Sequence, residues 1–475
     1  MENCHFLVVT FPAQSHINPT LQFSKCIAKL GVRTTFSTSL GAINRMKKSS
    51  SSSGSLPQNL SIVPFSDGYD HGWTMNGDFR DYMFSLKTIG SKTLGELIMV
   101  QSNEGHPITH LVYTTLMSWV GQVAHQHHIP STLLWIQPAA LFDIYYYFFN
   151  GYGGIISESV TSKTIELPGL PSLDSRDLPS FLLASSPDIY NFALPSLKLH
   201  FELLGKEENP KVLVNTFDAL EPETLGVLDP KLKLVAVGPL IPSAFLDGRD
   251  PSDASFGGDL IDHNPKDYVE WLNSQKDGSV VYIAFGSYSD LPFKQIEEIA
   301  QALLASRKAF LWVLRKSPKG EKLEDKLTCK DELEKQGMIA NWCSQVEVLS
   351  HPSVGCFVTH CGWNSSLESL ASGVPVLAIP LWSDQATNAK FIQDVWKSGI
   401  RSKANEEGIV EADEIRRGLE IVMDDEESDQ EMRTNAKRWR DLAIEAAKDG
   451  GSSSRNLKAF VDEVALGVGV TNHCT

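Results

Sequence analysis

The residues best equipped for chemistry crowd into one stretch, Trp342 to Gln385, which reads WCSQVEVLSHPSVGCFVTHCGWNSSLESLASGVPVLAIPLWSDQ. The apolar run Gly355–Thr359 predicts a strand, Gly362 a turn, and Asn364 onward a helix. A helix start offers unpaired backbone N–H groups and a positive dipole end to an anion, so a diphosphate fits there. His360, Asn364 and Ser365 add side-chain donors at that point. Glu368, one turn further along, can accept from ribose hydroxyls, and Trp342 offers a flat face to a base. Asp384 and Gln385 end the next predicted strand, where they can hold sugar hydroxyls. Any one of these residues is more often a cap or a core side chain, but the ordered set suits a nucleotide diphosphate carrying a sugar. A rival reading makes Cys343, Cys356, His360 and Cys361 zinc ligands. It is the weaker one, because structural zinc sites use paired short spacings and two of these candidates are adjacent.

A second candidate stands near the N-terminus. His16 follows the first apolar run, Phe6–Thr10, in a loop opening a helix, which puts it at the mouth of a cleft. An imidazole titrating near pH 6.5 is a suitable general base for an acceptor hydroxyl. His125, His127 and His128 sit in a polar helical stretch and read as a solvated face.

The elements that must position these groups alternate β and α, which implies parallel sheets covered by helices. In the first half, Phe6–Thr10, Val32–Ser37, His110–Tyr113, Ser131–Trp135 and Val212–Asn215 predict strands. A helix is expected from Asn18 (N-cap) and Pro19 (first position) to Lys29, with Gly31 stopping it. Ser49–Ser55 reads as a surface loop. Periodicity vanishes between Gly238 and Asn264, a Pro/Gly/Asp/Ser-rich linker, then restarts. Val280–Phe285, Phe310–Leu314, Gly355–Thr359 and Val376–Ile379 predict strands, and Phe293–Ser306, Asn364–Ala371 and Gln385–Trp396 helices. A chain of 475 residues exceeds one ordinary core, so two domains are expected, with a ligand cleft at the carboxyl ends of their strands. The expected boundaries are 1–240 for the first domain, 241–264 for the linker and 265–450 for the second domain, which holds the Trp342–Gln385 stretch. A C-terminal helix and tail, 451–475, packs back towards the first domain.

The formal net charge of −16 argues against nucleic acid and anionic membranes as partners. Much of the acidity, Glu411 to Glu431, reads as solvated helix faces. Seven scattered cysteines suit free thiols in a reducing compartment. The N-terminus lacks a basic n-region, and the apolar stretch Thr132–Phe149 is interrupted by Gln137, Pro138 and Asp143. A cytoplasmic protein without a membrane span is therefore expected, and nothing demands more than a monomer.

The segment Trp342–Gln385 resembles, without gaps, the signature box of the plant secondary-product UDP-glycosyltransferases of family 1, which have the GT-B fold. The likeness runs from FPAQSHINP to GGSSSRNLKAFVDEV. The resemblance implies two Rossmann-like, doubly wound domains facing a central cleft. It implies that Trp342 stacks on uracil with the Cys343 backbone pairing to it, and that Gln345 and Glu368 hold the ribose. His360, Asn364, Ser365 and Ser287 would bind the diphosphate, and Trp363, Asp384 and Gln385 the sugar. Gln at the box's last position favours UDP-glucose. His16 would be the base of a single inverting displacement, with no metal and no other cofactor. UDP-sugar and a small lipophilic acceptor would be its partners.

Two positions depart from the family pattern. Ser15 replaces the usual Gly before the His, and Thr114 replaces the Asp that normally orients it. The subgroup resembling anthocyanin 5-O-glucosyltransferases and crocetin glucosyltransferases shares this Thr and the segments at Leu133–Ala139 and Asp143–Tyr147. Loss of the Asp favours acceptors that need little deprotonation, carboxylates or phenols over alcohols. Phe11, Ser15, Leu116, Ile136, Phe142 and the run Tyr145–Phe149 are expected to line the acceptor pocket. A UDP-sugar-binding protein without turnover is the alternative. A nicotinamide enzyme is disfavoured because no Gly-x-Gly-x-x-Gly follows the first strand.

Overall fold

The computed structural model describes residues 4–49, 56–73, 78–158, 164–183, 193–228, 230–260, 265–287, 291–317, 320–424 and 426–471. The chain divides into two compact units. The first comprises Met1–Ser175, Phe181–Ile261 and Glu445–Thr475; the second comprises Arg176–Ser180 and Asp262–Ile444.

Strands of the first unit are β1 (His5–Val9), β2 (Arg33–Ser37), β3 (Leu60–Ile62), β4 (His110–Thr114), β5 (Ser131–Trp135), β6 (Lys211–Val214) and β7 (Lys233–Ala236). They form one sheet in the order β3-β2-β1-β4-β5-β6-β7, and every pairing is parallel. The order reverses between β1 and β4, the point at which ligands bind in such sheets. Both strands are buried along their whole length, as expected of central strands covered by helices on both faces. One core layer joins Phe6 and Val8 of β1 to Phe23 and Ile27 of the helix Gln14–Lys29, and to Leu457, Phe460 and Val461 of the last helix, Ser452–Thr471.

The second unit repeats the plan with β8 (Val280–Ala284), β9 (Ala309–Val313), β10 (Met338–Ala340), β11 (Val354–Thr359), β12 (Val376–Ala378) and β13 (Gly399–Arg401). Its parallel sheet runs β10-β9-β8-β11-β12-β13, with the reversal between β8 and β11. The helix Phe293–Ser306 has the expected bounds and lays Ile296, Ile299, Ala300 and Leu303 against Val281, Ile283, Phe310 and Trp312.

Three expectations need correction. The first helix starts at Gln14, not Asn18, so Pro19 lies inside it. Its start is held from outside: buried Gln14 donates to the Gly258 carbonyl (2.9 Å) and accepts from Leu260 N–H (2.7 Å). The helix expected over Gln385–Trp396 is α-helical only to Lys390, and Phe391–Val395 widens to a π-type turn. The segment expected to be a plain linker is partly buried in the first unit. Asp253 there accepts from Gln22 (2.8 Å) and pairs with Lys25 (3.1 Å) and Lys29 (3.3 Å). Lys47 and Lys48 end a helix, Leu40–Ser49, and the rest of the Ser-rich loop, 50–55, lies outside the described residues.

Candidate active site

In the second unit the strand ends flanking the reversal carry the candidate donor site. After β11 the chain passes through His360 and Cys361, the latter at φ +63°, to Gly362, which precedes the helix Trp363–Ser372. After β8 it turns at Gly286 (φ +73°) and Ser287. The His360 imidazole lies between these two turns. A Cβ on either Gly286 or Gly362 would come within 2.7 Å of its Nε2, so a side chain at either position would displace the imidazole. Burial, helped by the Arg315 guanidinium, pushes the imidazole pKa down to about 4, so the ring is neutral near pH 7. Thr359 Oγ1 lies 3.3 Å from its Nδ1.

Arg315, just beyond β9, donates through Nη1 to the Ser287 carbonyl (2.6 Å). Sequence reasoning missed this residue: only the sheet order β9-β8-β11 reveals that three segments distant in sequence end side by side.

The remaining residues of the stretch interlock. Gln345 Nε2 donates to Glu368 Oε2 (2.7 Å) and to Ser365 Oγ (2.9 Å). Burial raises the Glu368 carboxyl to about 7 in spite of that hydrogen bond. Asp384 is buried, which raises its pKa, while Asn388 Nδ2 (2.8 Å) and the Trp363 backbone N–H donate to it. The Trp363 ring is buried, its centroid 6.0 Å from that of Trp396. Gln385 Oε1 accepts from Leu381 N–H (2.9 Å) and Trp382 N–H (3.0 Å), closing the turn in front of it. Trp342 is half-buried after β10, and Cys343 beside it is buried. Asn364 lies half-buried in the first turn of the helix.

In the first unit His16 lies in the first turn of its helix, half-buried, its ring 5.2 Å from that of Phe11. Burial alone pushes the imidazole pKa to about 4, below the value near 6.5 expected from sequence. Its Nδ1 is buried and has no hydrogen-bond partner among the described residues. Thr114, at the end of β4, bonds elsewhere: its Oγ1 lies 3.1 Å from Thr10 Oγ1, which lies 3.1 Å from Thr20 Oγ1. Thr20 in turn donates to the His16 backbone carbonyl (2.7 Å). A chain of three hydroxyls thus runs from Thr114 to the backbone of His16.

The expected acceptor residues separate into two groups. Phe11 and Leu116 follow the ends of β1 and β4, with Leu116 held at φ +70°, whereas Ser15 is an exposed residue in the first turn of the helix, next to His16 in sequence. Ile136 and Phe142 are core side chains. Ile136 belongs to the layer around Phe6 and Phe23, and Phe142, with no exposed surface, packs on Trp135 (5.2 Å) and Phe201 (5.0 Å). His127 and His128 fall at the end of the helix Ser118–Gln126, and His128 has φ +56°. Among the described residues, no group of three His, Cys, Asp or Glu side chains is placed to hold a metal ion. No described helix is long and apolar enough to cross a membrane.

Comparison with known proteins identifies the family. The profile of the UDP-glucoronosyl and UDP-glucosyl transferase family matches residues 252–443. Crocetin glucosyltransferase, chloroplastic, from Gardenia jasminoides is 55% identical, with 98% of each chain covered. Anthocyanidin 3-O-glucoside 5-O-glucosyltransferase from Verbena hybrida is 49% identical, covering 98% of this chain and 99% of that protein. Os79 from O. sativa, solved in complex with UDP, superposes with a TM-score of 0.84 at 31% identity, covering 96% of this chain and all of the other. The chain therefore belongs to the UDP-glucoronosyl and UDP-glucosyl transferase family, with the GT-B fold. It is a glucosyltransferase of the plant type, as the resemblance in its signature stretch implied.

Proposed function

We propose that this enzyme transfers glucose from UDP-glucose, with inversion, to a carboxyl or an acidic phenol of a small lipophilic plant metabolite. The observation that carries the donor half is the interlocked set Gln345–Glu368–Ser365 beside the helix start at Gly362 and the neutral His360. Trp342 would stack on uracil while the Cys343 backbone pairs with it. Glu368 would accept from the ribose hydroxyls, with Gln345 alongside. His360 Nε2, Asn364, Ser365, the helix N-terminus and the Ser287 turn would bind the diphosphate. Neutral donors and a helix dipole can stabilise the departing UDP without a metal ion. Asp384 and Gln385 would hold the sugar hydroxyls, with Trp363 also in contact with the sugar.

His16 would be the general base, with Thr114 acting on it only through the hydroxyl chain. A buried imidazole with a pKa of about 4 and an unpartnered Nδ1 is a weak base. Such a base serves acceptors that ionise readily, as the crocetin- and anthocyanidin-directed names of two relatives suggest. Phe11, Ser15 and Leu116 would contact the acceptor. The described cysteines are free thiols, which suits a monomer working in the reducing cytosol.

UDP release from UDP-glucose, measured for wild type and His16→Ala against a flavonoid phenol, an aromatic acid, an apocarotenoid diacid and an aliphatic alcohol, tests this. The proposal expects release with phenols that collapses in His16→Ala, and release with carboxylates that largely survives. UDP-glucose binding with no release for any acceptor would instead favour a binding protein without turnover. The unpartnered Nδ1 of His16 is the observation behind that second reading.

A further inference from the structure

The turn that carries Asp384 and Gln385 is held by a piece of chain from far upstream. Residues Arg176–Ser180 belong to the second unit, although the sequence on both sides of them belongs to the first. Ser180 lies 203 positions before Ser383, yet the two residues are bonded in both directions. Ser180 N–H donates to the Ser383 carbonyl (2.9 Å), and Ser383 N–H donates to Ser180 Oγ (2.7 Å). One helical turn on, Thr387 Oγ1 donates to the Asp177 carbonyl (2.6 Å). The Asp177 carboxylate, only 2% exposed, accepts from Arg401 Nη1 (2.8 Å) with Lys390 Nζ 3.9 Å away. Arg401 Nη2 donates to the Arg176 carbonyl (3.0 Å), so the segment is fixed at both ends.

Ser383 needs this support. It has φ +60°, a left-handed conformation that is strained for a residue with a Cβ and persists only where the surroundings over-determine it. Asp384 and Gln385 follow directly, so the direction in which they leave the turn depends on Ser383 keeping that conformation. We propose that Arg176–Ser180 braces the sugar-binding turn, with Ser180 and Asp177 as positioning residues that set which hexose of a UDP-sugar the enzyme accepts. The inference rests on the reading of Asp384 and Gln385 as the sugar-binding pair.

The test compares Ser180→Ala, Ser180→Thr and Asp177→Asn with Gln385→Ala. It measures the dissociation constant for UDP, and kcat/KM for UDP-glucose and UDP-galactose. UDP has no hexose, so a brace acting on the sugar turn leaves its affinity within about twofold. In Ser180→Ala the buried Ser383 N–H loses its acceptor, which should lower the UDP-glucose to UDP-galactose preference about fivefold or more. Ser180→Thr keeps the hydroxyl and should restore the preference, and Asp177→Asn should weaken it without changing UDP affinity. If Gln385→Ala abolishes the preference while Ser180→Ala and Asp177→Asn leave it intact, the sugar-site reading stands and the brace is refuted. If Gln385→Ala leaves the preference unchanged, the sugar-site reading falls and takes the brace with it. An equal loss of UDP and UDP-glucose binding in Ser180→Ala would also refute it, since that is general damage to the site.

Discussion

Replacing Thr114 by Asp should widen the acceptor range towards weaker acids, and the structure sets the size of the effect. The His16 imidazole has a pKa of about 4 because burial disfavours its charged form and no anion offsets that cost. A carboxylate that comes within about 4–6 Å of an imidazole favours the imidazolium and raises its pKa by about 1–3 units. Thr10 Oγ1, 3.1 Å from the present Thr114 hydroxyl, would donate to the new carboxylate and help keep it ionised. If about half of the added basicity is expressed in the transition state, kcat/KM for a phenol rises about 3- to 30-fold, with a larger gain for an aliphatic alcohol. A carboxylic acceptor, already ionised, gains nothing.

The pH profile gives an independent reading. The base must be unprotonated, so activity with a phenol falls as pH drops through the pKa of His16. That limb lies near pH 4 in the wild type and should move up by about 1–3 units in Thr114→Asp. Thr114→Asn has nearly the same shape without the charge. The assay is UDP release across pH for the three proteins with one phenol and one carboxylic acid. Equal changes in the Asp and Asn variants, or a parallel rise for the carboxylic acid, would refute the electrostatic reasoning and leave Thr114 a packing residue.

Three further outcomes are expected. Glu368 is held near pKa 7, above the ordinary value of 4.5, so the stability it contributes is full below pH 4.5 and is lost as pH rises through about 7. Ribose hydroxyls donating to it favour the ionised form, so UDP binding near pH 6.5 should release a fraction of a proton. Calorimetry in buffers of different ionisation enthalpy measures this, and Glu368→Gln should abolish it. Arg315→Gln removes the cation beside His360 and the Ser287 carbonyl, and should weaken UDP binding about tenfold. Uridine, which has no phosphate, should bind as before, and an equal loss for both would show a structural role. Asp253→Ala leaves the buried Lys25 ammonium without its counter-charge, with the Ser255 carbonyl (2.7 Å) still accepting from it, a change that costs about 3–5 kcal/mol and should lower Tm by about 10 °C in a scan at pH 7. The Asp253 carboxyl is held below its ordinary range by Lys25, Gln22 and Lys29, against burial. Its contribution is therefore present at neutral pH and lost as pH falls through that lowered pKa, so the variant and wild type should converge in acid.

What could be read from the sequence and what could not differ by the range of the interactions involved. Strand, turn, helix and second strand between Gly355 and Ile379 were legible because each is set by neighbours a few residues away: a β-branched and aromatic run, Gly362, then helical spacing. Strands β10 and β13, three residues each, are too short to show a period, and only pairing with β9 and β12 makes them strands. The start of the first helix escaped for the same reason. Ala13 carries no capping side chain, and what fixes the start is Gln14 reaching 244 residues along the chain to Gly258. In the candidate sites, residue types were visible but not their charge states. His16 has the composition of a base near neutrality, and only its burial in the fold makes it a weak one. Arg315, Asp177 and Ser180 belong to no local pattern, because each acts on a strand end that the parallel crossovers bring beside it. In a doubly wound fold the groups that contact a ligand cluster in sequence at strand ends, whereas those that aim and charge them come from distant parts of the chain, a neighbouring strand for Arg315 and an upstream turn for Asp177 and Ser180. A motif therefore locates such a site well but describes its acid–base strength and sugar preference poorly, and those are the properties in which family members with the same box can differ.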